Sequence, residues 1–139
     1  MEKQFSHEKL IIYQKSLDFV EFVENILSRV KDKLHVYEQI DKSSTSIPLN
    51  IAEGTGKYSI KDKNKYYDIA RGSASESAAC LDVLLRRKRI TVEENKEGKD
   101  ILIEIISMLV GLVRSKSERV YEDDENYGSD FNNYQNLKD

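Results

Sequence analysis

Residues 46–57 read Ser-Ile-Pro-Leu-Asn-Ile-Ala-Glu-Gly-Thr-Gly-Lys; they hold the chain's only proline, Pro48, and two of its six glycines. A proline, two close glycines and a lysine can make a phosphate-cradling loop, a polar active site, or a helix packed tightly on a neighbour. A phosphate loop needs Gly-x-x-x-x-Gly-Lys-Ser/Thr between a strand and a helix. Here Gly54 stands only two residues before Gly56, Tyr58 follows Lys57, and no strand pattern leads in. Val36, Ile40, Ser43, Ser44, Ile47 and Ile51 instead recur at spacings of three and four, the period of a helix. The stretch therefore reads as the second half of a helix over about 34–57 with an unusually small inner face. Pro48 removes one backbone hydrogen bond and kinks such a helix, at ~3 kcal/mol or more unless its surroundings compensate. Ser43, Ser44 and Ser46 are placed to bond to the freed carbonyls. Gly54 or Gly56 can end the helix in a left-handed cap.

A matching small face lies downstream. Over about 61–89, Tyr66, Ala70, Ser73, Ala74, Ser77, Cys80, Leu81, Leu84 and Leu85 share one side of a helix. Two small faces let helix axes approach towards the short end of ~8–10 Å, so these two segments are expected to be neighbours. Upstream, about 7–30 carries two adjacent apolar stripes, one through Leu10, Tyr13 and Leu17 and one through Ile12, Phe19 and Val23, with Ser6 as an N-cap. The last segment, about 92–121, opens with Thr91-Val92-Glu93-Glu94, a capping box. Between Ile101 and Val113 it is apolar around nearly its whole circumference, Ile103 and Val110 included. A helix of a small bundle needs only one apolar stripe. The excess points to a face covered by another subunit; a helix buried unusually deep is the alternative. Four segments of similar length joined by short turns predict an all-α, antiparallel up-down-up-down four-helix bundle over 1–121.

The 139 residues, 34% charged and 39% hydrophobic, suit one soluble helical domain. Polar Glu2, Lys3 and Gln4 give no apolar leader, Ile101–Val113 is too short to span a bilayer, and Cys80 is a lone cysteine. A cytoplasmic protein with no membrane partner is expected. The net charge of −3 is unevenly spread: 122–139 holds six acids against Lys138, while 1–121 is mildly basic. An acidic tail of this kind reads as flexible and solvated.

Few constellations carry chemistry. His7 and His35 both lack the Glu three residues earlier that helical metal sites use, so neither metal nor cofactor is expected, nor a small-molecule substrate. Glu53 and Glu76 lie on the two small-faced helices and form either an acid–base pair or part of a register-setting network with Asn50, Arg71 and Ser73. Arg29 and His35, with five residues between them, resemble the Arg-x4–6-His signature of the helical HEPN ribonucleases. Val30 stands where that signature usually has a polar residue. Basic residues cluster twice: Lys57, Lys61, Lys63 and Lys65 with Tyr58 and Tyr66 interleaved, and Arg86, Arg87, Lys88 and Arg89 at the end of the third segment. The arginine run is favoured by the helix dipole alone; as functional groups, both clusters are candidate contacts for nucleic-acid phosphates.

Gln39, then Ser46, Ile47, Pro48, Asn50, Ile51, Ala52, Glu53 and Gly54, then Ala70, Gly72, Ser73 and Glu76 resemble the motif of the bacterial four-helix-bundle family of 23S rRNA intervening-sequence proteins. The match covers the second and third segments closely. The resemblance implies a homopentameric ring with no accepted catalytic residues; a related accessory protein of diversity-generating retroelements binds nucleic acid and a reverse transcriptase. The chain departs at Asp41-Lys42, where the family commonly has two arginines, and at His35, commonly glycine. The expectation is a non-enzymatic oligomeric scaffold that engages RNA, DNA or a ribonucleoprotein partner, the alternatives being a ribonuclease using Arg29 and His35 or a purely protein-binding module.

Overall fold

The structure, a computed structural model, describes residues 3–120, with side chains through 113. The acidic 122–139 stretch expected to be flexible lies outside the described residues. Four helices carry the described chain: α1, Ile11–Leu27; α2, His35–Thr55; α3, Ile60–Arg86; and α4, Val92–Val120, with a 3₁₀ turn at Ser6–Lys9 before them. No strand occurs among the described residues. α1 packs on α2 and α4, and α3 packs on the same two. Phe19, Ile26, Ile40, Ile47, Ile51, Leu81, Leu84, Leu102, Ile105 and Leu109, each at most 1% exposed, fill the shared core. At ~1.5–3 kcal/mol for each large apolar side chain buried, this core is the principal force closing the fold.

α2 and α3 meet through their small faces. Ser43 Oγ lies 2.7 Å from Ser77 Oγ, and the Ser73 hydroxyl donates to Ser46 Oγ at 2.8 Å. Farther along α2, Thr55 meets the Tyr67 hydroxyl at 3.0 Å. Later residues of α2 thus meet earlier residues of α3. Ala70 and Ala74 are fully buried between these contacts. Gly54 belongs to the seam for a steric reason: a Cβ there would stand 2.8 Å from Tyr67 Cε1 and 3.1 Å from the Lys63 carbonyl oxygen. A second close approach lies on the other side of α3, where a Cβ on Gly98 of α4 would stand 2.6 Å from Leu81 Cδ1 and 2.7 Å from Phe22 Cε1.

Several local expectations need correction. α1 begins at Ile11 rather than near residue 7, and Ser6 caps nothing; it opens the 3₁₀ turn. The reason is Glu8, whose carboxylate accepts from the Phe5 amide at 3.0 Å and holds the tighter turn, after which extended Leu10 breaks the chain before α1. With 17 residues against 27 and 29, α1 is also shorter than α3 and α4. Neither Gly54 nor Gly56 is left-handed: Gly54 lies inside α2, and Gly56 caps it at φ −78°. The last carbonyls of α2 are satisfied otherwise, by the amides of Gly56 and Lys57 and by Lys63 Nζ, which donates to the Thr55 carbonyl at 2.9 Å.

α2 runs unbroken through buried Pro48. The proline frees the Ser44 carbonyl, four residues back, yet the serines bond elsewhere. Ser43 and Ser44 donate to Ile40 and Asp41 carbonyls, a turn earlier, and the Ser46 hydroxyl faces Asn50 and Ser73. α3 starts at Ile60 on a cap not among the expectations, with Ser59 Oγ accepting from the Asp62 amide at 3.1 Å. The capping box of α4 forms as expected: Thr91 Oγ1 accepts from Glu94 N at 3.1 Å and Glu94 Oε1 from Thr91 N at 2.9 Å.

Candidate nucleic-acid interface

The two basic clusters lie at opposite ends of α3, separated by its 27 residues, or about 40 Å of helix. At the α2–α3 turn the four lysines are not equivalent. Lys63 is spent on the Thr55 carbonyl. Lys57 and Lys65 place their ammonium groups 5.2 and 5.9 Å from the centre of the Tyr66 ring, within reach of a cation–π attraction. Lys61 and Tyr58 are exposed. Tyr66 also walls an open cavity of about 590 Å³ with Phe5, His7, Leu49, Asn50 and Glu53.

At the other end, the α1–α2 and α3–α4 turns are tied together by charge. Arg29 donates to Glu94 Oε1 at 2.7 Å and lies 2.6 Å from Oε2, and it reaches the Arg89 carbonyl at 3.4 Å. Arg89 donates from Nε to Asp32 Oδ2 at 2.9 Å, while buried Tyr37 donates to Asp32 Oδ1 at 2.6 Å. The Tyr37 hydroxyl, followed by Arg89, holds the Asp32 carboxyl below its ordinary range. Arg29 does the same for Glu94. Burial, followed by Asp32, pushes the Tyr37 hydroxyl up. These pairs are largely exposed, so each is worth little alone; their effect is to give both turns one geometry.

The end of α3 is a Schellman motif. Arg89 N donates to the Leu84 carbonyl at 2.9 Å and Lys88 N to the Leu85 carbonyl at 3.0 Å. The position between cap and closing residue usually takes glycine. Here it is Lys88 at φ 61°, the one positive φ at a non-glycine among the described residues. A side chain in this conformation costs ~1–2 kcal/mol. Arg86 adds its field to Asp82, whose carboxyl is lowered chiefly by Lys99. Arg87 and Lys88 make no side-chain ion pair among the described residues. Arg29, Lys31, Asp32, Lys88 and Arg89 line an open cavity of about 480 Å³ between the turns.

Other singled-out residues fall as follows. The Arg29 guanidinium is engaged by Glu94, whereas His35 opens α2 with its ring 79% exposed and 3.7 Å from Glu38. The expected network forms with different members. Asn50 donates to the Ser46 carbonyl and hydroxyl at 2.8 and 2.9 Å and Ser73 joins them, but Arg71 pairs with Asp68. Glu53 and Glu76 are exposed and do not meet. With Ser46 level with Ser73 and Ser43 with Ser77, Glu53 sits near the level of Tyr66 and Glu76 near that of Ser43, about 15 Å apart along the seam. Of the remaining motif residues, Ile47, Pro48, Ile51 and Ala70 are buried, Ala52 is half-buried, and Gln39 and Gly72 face outward. Asp32 and Glu94 were not foreseeable as partners of Arg89 and Arg29, because the contacts span 57 and 65 residues. Among the described residues no group of three His, Cys, Asp or Glu side chains is placed to hold a metal ion, and no helix is long and apolar enough to cross a membrane.

Fold and surface together define a class, the four-helix all-α proteins that carry lysine and arginine clusters at both ends of one helix. Within it, the model of the 23S rRNA-intervening sequence protein family matches residues 8–111, and the chain belongs to that family. A crystal structure of a protein of unknown function from the S23 ribosomal protein family of Bacteroides thetaiotaomicron is similar at 28% identity and a TM-score of 0.70. The match covers 74% of this chain and 98% of that one. Comparison with curated proteins yields no match.

Proposed function

We propose that this chain is a non-enzymatic scaffold of the cytoplasm, an antiparallel up-down-up-down bundle assembled as a homopentameric ring, which binds RNA or a ribonucleoprotein through its basic ends. The observation that carries the RNA reading is the set of cations without a carboxylate partner: Lys57, Lys61 and Lys65 at one end and Arg87 and Lys88 at the other make no ion pair among the described residues. Contacts of Ser43 with Ser77 and Ser46 with Ser73 support opposite chain directions for α2 and α3. Ile103 at 48% and Leu49 at 63% exposure supply apolar surface for contact between subunits. The engagement of Arg29 with Glu94 supports a structural rather than a catalytic use of that arginine.

Light scattering on a size-exclusion peak tests assembly; a mass near five times 16.1 kDa is expected, and a monomer refutes the ring. Filter binding with structured RNA tests the ligand. Affinity should fall as salt rises, because neutralised phosphates release counterions; no binding at low salt refutes the RNA reading. RNA cleavage abolished by His35→Ala would overturn the non-enzymatic assignment. Retention of a protein partner alone after nuclease treatment would move the assignment to a protein-binding module.

A further inference from the structure

The cavity between the α1–α2 and α3–α4 turns combines features that the core and the helix caps do not require. Four of its lining residues, Arg29, Lys31, Lys88 and Arg89, are cations, against one carboxylate, Asp32. That carboxylate is held between Arg89 and Tyr37, and Glu94 behind it is held by Arg29 and Thr91. The two arginines therefore form a fixed frame with part of their charge offset. Lys31 and Lys88 are exposed and make no ion pair among the described residues.

Helix dipoles do not decide the sign of this end. It collects the C-termini of α1 and α3 and the N-termini of α2 and α4. Their partial charges of roughly half a unit each oppose one another, so the side chains set the field. The backbone at Lys88 gives an independent pointer. A position that glycine fills without strain is filled by a lysine at φ 61°, and the strained residue is one that lines the cavity. Strain of this kind, held in place by surrounding hydrogen bonds, marks functional positions.

We infer that this cavity is a phosphate site for the backbone of RNA, with Lys31 and Lys88 as the contacting ammonium groups and Arg29 and Arg89 as the frame that fixes the two turns. The inference rests on the RNA-binding reading and narrows it to one end of the bundle. The frame holds the two turns in place before the ligand arrives, so little ordering is needed on binding.

Lys88→Gly is the discriminating variant, because it removes the cation while relieving the backbone and so cannot fail by unfolding. Thermal melts of the variant should rise by a few degrees. Filter binding with structured RNA should weaken by roughly three- to tenfold, and the slope of log affinity on log salt should shallow by ~0.7–0.9, the value for one lost phosphate contact. Lys31→Ala should weaken binding similarly, and Lys88→Arg should retain it. Raised melting with unchanged affinity and slope in Lys88→Gly overturns the inference and leaves RNA binding intact. So does a loss confined to Lys57→Ala, which places the contact at the other end. Absence of RNA binding by the wild-type chain instead overturns the reading on which the inference rests.

Discussion

Gly54→Ala adds one methyl group at the closest point between α2 and α3. It would fall 2.8 Å from Tyr67 Cε1, 3.0 Å from Cδ1 and 3.1 Å from the Lys63 carbonyl oxygen, against ~3.5–4.0 Å for an unstrained carbon contact. Tyr67 is 1% exposed and its hydroxyl is held by Thr55, while the carbonyl belongs to the first turn of α3, so neither can yield without the helices parting. Overpacking costs ~1–3 kcal/mol in general, and with a backbone carbonyl and a fully buried ring as the groups met, the upper part of that range, about 2–3 kcal/mol, applies. The better helix propensity of alanine offsets ~1 kcal/mol of it, leaving a net loss of about 1–2 kcal/mol. For a chain of this length the melting temperature should drop by roughly 3–7 °C. Far-UV circular dichroism melts at fixed protein concentration measure it, since self-association would otherwise shift the midpoint. Gly72→Ala is the internal control, because a methyl there meets nothing within 4 Å and should raise the midpoint by roughly 3 °C. A Gly54→Ala midpoint equal to or above wild type refutes the close-packing account of the seam.

Two further outcomes test the ends of the bundle. Thr91→Ala removes the acceptor for the Glu94 amide and should destabilise by ~0.5–2 kcal/mol; urea unfolding midpoints indistinguishable from wild type would mean that the box contributes nothing. Asp32 and Glu94 both have depressed folded-state pKa values, so the stability they contribute is fully present above their unfolded values near ~4 and is lost as pH falls through the lower folded values. The unfolding midpoint should therefore fall below about pH 4, modestly because both groups are largely exposed, and Asp32→Asn should flatten that fall; parallel profiles for the two proteins would remove Asp32 from the account.

What could be read from the sequence was what is local or periodic. The small faces of α2 and α3 identify each other because Ser43, Ser46, Ala70, Ala74 and Ser77 recur at helical spacing. Thr91 and Glu94 are three residues apart, so their box needs no tertiary knowledge. Failures came where one residue serves a distant one. Gly54 looked like a helix stop, whereas its lack of a side chain is demanded by Tyr67, which depends on the pairing of two helices. Glu53 and Glu76 looked like partners until the register of that pairing separated them. At the arginine-rich end, the run Arg86–Arg89 was visible, but which members remain unpaired depends on Asp32 in another turn. The left-handed turn after α3 is silent in the sequence because Lys88, not glycine, holds that position.

Gly98 bears on how freely the helices can slip past one another. Its absent side chain lets α4 touch both Leu81 of α3 and Phe22 of α1 at one axial level, while Gly54 keys α2 to α3 at another. Sliding α4 by one turn, ~5.4 Å, would bring Asn95 or Leu102 to a site that has no room for a Cβ. A one-turn step of α4 along its neighbours would therefore require the Leu81 and Phe22 side chains to move aside. The two missing side chains act as notches that index the helices against one another, α2 on α3 at Gly54 and α4 on α1 and α3 at Gly98.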